Sequence, residues 1–232
     1  MPHSNNRLFA RLGVADTDRF KSHLTVTQLH QGEVLADAHQ GLNKVYFPHG
    51  GIISCVVELK NGEGIETGMI GADGAFGAMQ ALDDKVSLNR VIVQVSGAAS
   101  IIEVERLREV LGAVPELRAL LVKYEQFFLA QVQQTAACNA VHDIHARMCR
   151  WLLRMHDLVG VDLPLTQEFL AQMMGVRRTS VTEVAGELQR AGLVTYSRGH
   201  VHIEAVARIR ERACECHETL QLHYERLFQR PV

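Results

Sequence analysis

The sequence predicts an α+β fold in three parts: an N-terminal antiparallel β-roll of the cupin-like jelly-roll kind, a long dimerisation helix, and a C-terminal winged helix-turn-helix. Short runs of β-forming residues, separated by Gly, Asn and Asp, fill 25–104. After Glu105 glycines become rare, and apolar residues recur at spacings of three and four. Two short helical patterns joined by a glycine, and then a hairpin pattern, occupy 166–203. The expected domains are 1–105, 106–140 and 141–232.

Composition is that of a globular protein, with 232 residues, 47% of them hydrophobic and 22% charged. The net charge of -2 argues against a protein that coats nucleic acid without specificity. From residue 141 onward there are 12 Arg, no Lys and 11 acidic residues. Arginine without lysine suits bidentate contacts to phosphate or guanine. The N-terminus has no signal-like leader, and no apolar run is long enough to span a bilayer, so we expect a cytoplasmic protein without a membrane partner.

The roll is predicted from runs at 45–47, 52–59, 65–70, 91–95 and 100–104. Asn61-Gly62 is a hairpin-turn pair between the second and third runs. Ahead of the roll, the first twenty residues predict a short helical lead-in. Its candidate core contacts are Leu8, Phe9, Leu12 and Phe20.

A helical stripe begins after Pro115. Its residues are Leu117, Leu121, Tyr124, Phe128, Gln131, Thr135, Cys138 and His142. The alternating spacing is typical of a coiled-coil seam, so we expect the first four to form a dimer interface. The alternative is a helix that lies on its own β-roll. A second helix is predicted over 141–158, ended by Val159-Gly160.

The stretch 166–203 carries the functional prediction. Thr166 is a suitable N-cap, and Phe169, Leu170 and Met173 predict a buried face for the first short helix. Gly175 stands where a tight turn needs a left-handed residue.

The second short helix is predicted to bury Val181, Val184 and Leu188. Two alternating runs around Arg198-Gly199 then predict a hairpin, the wing, with Arg198 and His200 near a sugar-phosphate backbone. The exposed polar side chains at the start of the second helix fit a DNA major groove. The predicted DNA-binding residues are Thr166, Arg177, Arg178, Thr179, Ser180, Thr182, Glu183, Arg198 and His200. The alternative is a helical hairpin with surface arginines that contacts protein.

The order of β-roll, long helix and winged helix-turn-helix resembles the Crp/Fnr family of bacterial regulators over essentially the full chain. The segment TQEFLAQMMGVRRTSVTEVAGELQRAGLV is typical of that family, and CRWLL (149–153) and CEC (214–216) resemble a poorly characterised branch of it. The resemblance implies a non-enzymatic transcription regulator whose homodimer reads a palindromic site, responds to an effector through its N-terminal domain and works with RNA polymerase. Arg178 matches the family's base-reading arginine. Thr179 and Glu183 differ from the residues of better-known members at these positions, so the DNA target of those members does not carry over to this chain.

The family's cyclic-nucleotide members have a Gly-rich cassette with an acidic residue and an arginine. The matching region here keeps Gly74 and Gly77, but Ala78 replaces the expected carboxylate and Arg90 is displaced and followed by Val91. These two glycines and Arg90 are candidate effector-binding residues. The alternative is that the glycines only turn strands, and no particular cofactor or effector is implied.

Five cysteines at irregular spacing fit reduced thiols. Cys138, His142, His145 and Cys149 line one helical face, but four positions along one helix are too spread for one ion, so no metal site is predicted. A redox role of Cys138, Cys214 or Cys216 stays open, with Cys214 and Cys216 expected in a C-terminal helix.

Two other functional classes compete with a DNA-binding regulator. A cupin-like metalloenzyme would need converging ligands, but His39, His49, Glu58 and Glu66 lack a compact His-x-His pattern. A dimeric small-molecule-binding module could use its helix-turn-helix to contact protein rather than DNA.

Overall fold

A computed structural model of the chain describes residues 2–82 and 86–228. The α-helices are α1 Val14–Lys21, α2 Val104–Ala113, α3 Pro115–Val141, α4 Ile144–Val159, α5 Gln167–Met174, α6 Arg178–Arg190, α7 Val206–Arg212 and α8 Cys216–Phe228. The strands are β1 Thr25–Leu29, β2 Val34–Ala36, β3 Lys44–Pro48, β4 Ile52–Glu58, β5 Gly64–Ile70, β6 Arg90–Val95, β7 Gly97–Glu103, β8 Asp162–Leu163, β9 Val194–Ser197 and β10 His200–Ile203.

The chain divides into two compact units. The roll unit comprises Met1–Cys55, Gly68–Leu129 and Arg226–Val232, and the winged unit comprises Val56–Thr67 and Ala130–Glu225. The segment expected to be a separate dimerisation helix is thus shared, with its first part in the roll unit and its last part in the winged unit.

Two antiparallel sheets form the roll. One has the strand order β1-β7-β3, and the other has the order β2-β6-β4-β5. In the first sheet Thr25 is paired with Ile101 and Val45 with Ile102. Inward-facing residues such as Val45 and Phe47 are fully buried, as the alternation of a half-buried strand requires. The predicted β-roll and its strands are confirmed. The turn at Asn61-Gly62 is also confirmed, with the Gly62 N–H donating to the Leu59 carbonyl at 2.9 Å.

The N-terminal lead-in packs into the roll's core. Two 3₁₀ turns and α1 bury Leu8, Phe9, Leu12 and Phe20, as predicted. The rings of Phe9, Phe20 and Phe47 lie 5.1–5.4 Å apart between centroids, in tilted and edge-to-face pairs. Such pairs add to the gain from burial.

The first half of α3 corrects the predicted dimer interface. Leu117, Leu121 and Tyr124 are buried within the single chain, so they are not available to a second copy, and the prediction is wrong for them. Phe128 is half-buried. The stripe of apolar residues is real, but it covers the chain's own roll unit: Tyr124 packs against the turn at Gly74. The alternative interpretation of the stripe is therefore the correct one here.

In the winged unit, α4 supplies the central hydrophobic face. It begins at Asp143, whose side chain accepts the Ala146 N–H at 2.8 Å, and it ends at Gly160. Met148, Leu152 and Met155 are fully buried on it. The small sheet has the order β8-β10-β9. The predicted helix and its glycine break are confirmed.

No helix among the described residues combines the length and the apolar character that crossing a membrane would require.

Candidate functional site

The helix-turn-helix follows its sequence pattern, with Leu170 and Met173 buried as predicted and Phe169 only half-buried. The Thr166 hydroxyl accepts the Phe169 N–H at 3.1 Å and caps α5. Gly175 ends α5 in the left-handed region at φ 62°, which a side chain would strain. The Arg147 guanidinium donates to the Met174 carbonyl at 2.7 Å and covers the same helix end. These contacts fix the angle at which α6 leaves the turn.

Helix α6 has a buried side and an exposed side. Val181, Val184 and Leu188 are buried, as predicted. The predicted DNA-contacting side chains of this segment lie on the exposed side, with Ser180 half-buried. The exposed ones are Arg177, Arg178, Thr179, Thr182 and Glu183.

Arg178 has an acidic neighbour. Its guanidinium donates to the Glu168 carboxylate at 2.8 Å, and both side chains are largely exposed, at 67% and 71%. An ion pair this exposed contributes little stability, so Arg178 can leave it at small cost. The pair holds the arginine on the outer surface between α5 and α6.

The wing is a tight hairpin. Arg198 and Gly199 occupy its turn with φ 35° and 86°, the left-handed pair that a two-residue hairpin needs. The Tyr196 N–H donates to the Gln189 side chain at 3.1 Å, which ties the wing to α6.

The winged unit has an open groove of about 420 Å³ between the start of α6 and the wing. Four of the predicted residues, Thr166, Arg178, Arg198 and His200, line it together. The remaining predicted residues lie on the exposed side of α6 or beside it. A row of exposed donors beside a hairpin can engage phosphates and base edges together.

Gln167 and Glu168 are among the groove residues that sequence reasoning missed. Gln167 accepts the Thr182 hydroxyl at 2.8 Å, and Glu168 pairs with Arg178. Both are in the first turn of α5, where acidic and polar residues are ordinary for a helix start. Only the crossing of α5 and α6 brings them to the recognition surface.

A separate cavity of about 250 Å³ lies in the roll unit. Its lining residues are Cys55, Ile70, Ala75, Phe76, Gly77, Met79, Val86, Ser87, Leu88, Asn89, Val91, Glu125 and Phe128. The described lining residues are mostly apolar, and Glu125 is the one carboxylic acid among them. Burial raises the pKa of Glu125 to about 7.

The structure does not bring the three candidate effector residues together. Gly77 lines the cavity, whereas Gly74 lies under the Tyr124 ring, where a Cβ would overlap the phenol. Arg90 is not among the lining residues, and its guanidinium lies 3.8 Å from the Asp37 carboxylate. The glycine at 74 is therefore explained by packing.

The residues considered for a cupin-like metal site do not converge. His49 Nε2 is 2.6 Å from the Ser100 hydroxyl, and Glu66 accepts the Trp151 indole N–H at 3.0 Å. By contrast, Cys138 and His142 lie in one cluster with Cys214 and Cys216. Cys214 precedes α8 rather than lying within a helix.

Residues 146–212 match the model of the Crp-like helix-turn-helix domain. No curated protein matches the chain.

Several solved structures are similar to more than four-fifths of this chain. The c-di-GMP-responsive global regulator CLP of Xanthomonas campestris is 17% identical with a TM-score of 0.67, over 82% of this chain and 99% of that one. FixK2 of Bradyrhizobium japonicum is 13% identical with a TM-score of 0.69, over 82% and 98%. A CRP-family transcriptional regulator of Thermus thermophilus is 19% identical with a TM-score of 0.65, over 81% and 96%.

At these identities the similarity shows a shared fold. The chain therefore carries a Crp-like helix-turn-helix domain on the fold of CRP/FNR transcription regulators, which are not enzymes. The Crp/Fnr resemblance drawn from the sequence is confirmed for the helix-turn-helix domain and for the fold, and the branch suggested by CRWLL and CEC stays a prediction.

Proposed function

We propose that the protein is a sequence-specific DNA-binding transcription regulator that reads a palindromic site as a homodimer. The observation that carries this proposal is the groove between α6 and the wing, where Arg178, Arg198 and His200 are presented together by a Crp-like domain. The Arg178 guanidinium binds the O6 and N7 atoms of a guanine, and the wing residues contact the sugar-phosphate backbone of the DNA.

The exposed side of α3 supports the dimer. Val122 and Leu129 lie on a different face of α3 from the buried stripe, and their side chains are 41% and 56% exposed. With Gln126 between them they continue a spacing of four and three, which is the pattern of a coiled-coil seam. This face replaces the one predicted from Leu117, Leu121, Tyr124 and Phe128.

The roll cavity supports a small-molecule input. Its apolar lining and the Glu125 carboxyl favour a mainly apolar ligand that is neutral or cationic. A cyclic phosphate would meet a carboxyl there rather than Arg90, so the ligand differs from a cyclic nucleotide or the c-di-GMP to which CLP responds. A regulator of this kind acts on RNA polymerase and works in the cytoplasm, where bacterial DNA is transcribed.

Substitution of Arg178 tests the proposal. The DNA site is first selected from a random-sequence pool with the purified protein, and affinities are then measured by fluorescence anisotropy at several salt concentrations. Arg178→Ala should lose about 1–3 kcal/mol of specific binding, a loss of roughly 5- to 150-fold, and relax base preference at one position in each half-site.

Arg190→Ala is the matched control. Arg190 is an exposed arginine in the last turn of the same helix, and its Nε–H donates to the Gly186 carbonyl. It should leave base preference unchanged. Unaltered affinity and preference in Arg178→Ala would overturn its role as the base reader. Failure to select any DNA site, with no salt-dependent binding, would favour a dimeric module that contacts protein through its helix-turn-helix.

A further inference from the structure

A cluster of three cysteines and one histidine lies outside the groove of the winged unit. Cys138, His142, Cys214 and Cys216 each offer one ligand atom, and all four atoms lie within 4.8 Å of one another. Cys138 and His142 are one helical turn apart at the end of α3. The two other cysteines flank Glu215: Cys214 lies in the link between α7 and α8, and Cys216 is the first residue of α8. The three thiols are buried, so water does not compete strongly for them.

The distances fit one tetrahedral ion. With Zn–S bonds of about 2.3 Å and a Zn–N bond of about 2.0–2.1 Å, a tetrahedron places two sulfurs about 3.8 Å apart and a sulfur about 3.6 Å from a nitrogen. Here Cys138 Sγ is 3.5 Å from Cys214 Sγ, and Cys216 Sγ is 3.6 Å from His142 Nδ1. Ligands of an iron–sulfur cluster surround several iron atoms and lie farther apart, so a single ion fits better.

The groups around the cluster orient its ligands. His142 directs Nδ1 to the cluster, and its Nε2 is 3.3 Å from the Glu215 carboxylate. A carboxylate on the distal nitrogen is the arrangement that fixes the tautomer of a metal-bound histidine. Gln134 donates to Cys216 Sγ at 3.1 Å, which favours the thiolate.

Positive charge is also close. Arg147 and Arg150 interact electrostatically with Cys138. Three thiolates and one Zn²⁺ carry a net charge of -1, and two guanidinium groups compensate for it. The thiolates that metal binding would form here are soft ligands, which select zinc over magnesium or calcium.

We propose that these residues form a closed Cys₃His zinc site. Its ligands flank the matched Crp-like domain on both sides, with Cys138 and His142 before residue 146 and the two others after residue 212. The ion would therefore join the two ends of that domain. A metal that closes a long segment of chain restricts the unfolded state strongly, so the site stabilises the winged unit.

The test measures metal content directly. Full-length protein, without a histidine tag and kept reduced, should contain about one zinc per chain by mass spectrometry of the element. Metal-free protein given Co²⁺ should show the visible bands of tetrahedral cobalt and a thiolate-to-cobalt charge-transfer band. Chelation of the zinc should lower the melting temperature of the winged unit.

Matched variants separate a ligand from a buried thiol. Cys214→Ser and Cys216→Ser should lose zinc, while Cys149→Ser should keep it, because Cys149 is equally buried but lies outside the cluster. If the serine variants fold poorly, His142→Cys gives a separate answer: it should keep zinc and gain thiolate-to-cobalt absorption.

Three results would overturn the proposal. The first is that reduced wild-type protein holds no zinc and gives no cobalt–thiolate band. The second is that Cys214→Ser retains its zinc in full. The third is that a Cys138–Cys214 disulfide is found in place of bound metal. None of these measurements involves DNA, so the zinc site can fail while the proposed function stands.

Discussion

Glu125, in the roll unit, lies in an environment that disfavours its charged form. It lies on the wall of a largely apolar cavity, and burial raises the pKa of its carboxyl to about 7. In the unfolded chain the same carboxyl releases its proton near its ordinary pKa of about 4.3. Between these values the folded state holds a proton that the unfolded state has lost, so the free energy of unfolding falls as pH rises.

Glu125→Gln should remove this pH dependence. Glutamine cannot ionise, so the variant should gain stability over the wild type as pH rises from about 4.5 to 7, and the gain should level off above that. At pH 8 the gain should be on the order of 1–3 kcal/mol. Urea unfolding of both proteins at pH 5, 6, 7 and 8 measures it.

Glu116→Gln is the control for this experiment. Glu116 is exposed in the first turn of the same helix, and its substitution should produce no such growth with pH. A difference between Glu125→Gln and wild type that is constant from pH 5 to pH 8 would contradict the raised pKa.

At the scale of elements, one contact explains two corrections. The Tyr124 ring of α3 covers Gly74 so closely that a Cβ there would overlap the phenol. Tyr124 is therefore a packing residue within the roll unit rather than a dimer contact. Gly74 is required for that packing, whereas the sequence pattern assigned it to an effector. The predicted dimer contact at Tyr124 and the predicted effector residue at Gly74 are thus the two partners of one packing contact.

Gly74→Ala should loosen this packing. The added methyl must displace the Tyr124 ring or the turn, and overpacking of this kind costs about 1–3 kcal/mol. Urea unfolding should show the loss in the free energy of unfolding. When Tyr124→Ala is already present, the additional loss of unfolding free energy caused by Gly74→Ala should largely disappear, because the two changes act on one contact.

Gly112→Ala provides the matched control. A Cβ at Gly112, in α2, meets nothing within 4 Å, so this alanine should raise stability by about 0.5–1 kcal/mol through helix propensity. A loss of stability in Gly74→Ala together with a gain in Gly112→Ala would support the packing role. Additive effects of Gly74→Ala and Tyr124→Ala would contradict it.

What the sequence predicts well is local. The Thr166 cap, the left-handed Gly175 and the Arg198-Gly199 hairpin are each specified by neighbouring residues, and all three are as predicted. The stripe on α3 predicts that one face is buried, but periodicity is the same whether the partner is the chain's own roll or a second copy.

The zinc-site candidates show the same limit. Cys138 and His142 are paired by helix geometry, yet their neighbours Cys214 and Cys216 are more than seventy residues away along the chain. A search along a single helix finds only a row of residues that is too long for one ion. In the structure α3 ends at Val141, and the two other ligands come from the α7–α8 link and from the first residue of α8. Glu168 beside Arg178 is hidden for the same reason, since it depends on how α5 crosses α6.

For the whole molecule, a palindromic site requires two recognition helices held about one turn of DNA apart. A single chain presents one α6, so the proposed reading of a palindrome requires the association of two copies. Among the described residues of α3, Val122 and Leu129 are the large apolar side chains left exposed before residue 130. Exposed apolar groups at coiled-coil spacing are stabilised when a second helix covers them.

Leu129→Glu should break the dimer while leaving the fold intact. Leu129 is 56% exposed, so the carboxylate is solvated in the monomer but would be buried against its copy in the dimer, at a cost of several kcal/mol. Sedimentation velocity should show a shift from dimer to monomer with an unchanged circular dichroism spectrum. Binding to the selected palindrome should weaken more than binding to a single half-site.

Val14→Glu, at an 81% exposed apolar position on α1, should leave both the mass and the affinity unchanged. A Leu129→Glu protein that stays dimeric would place the interface elsewhere than this face of α3.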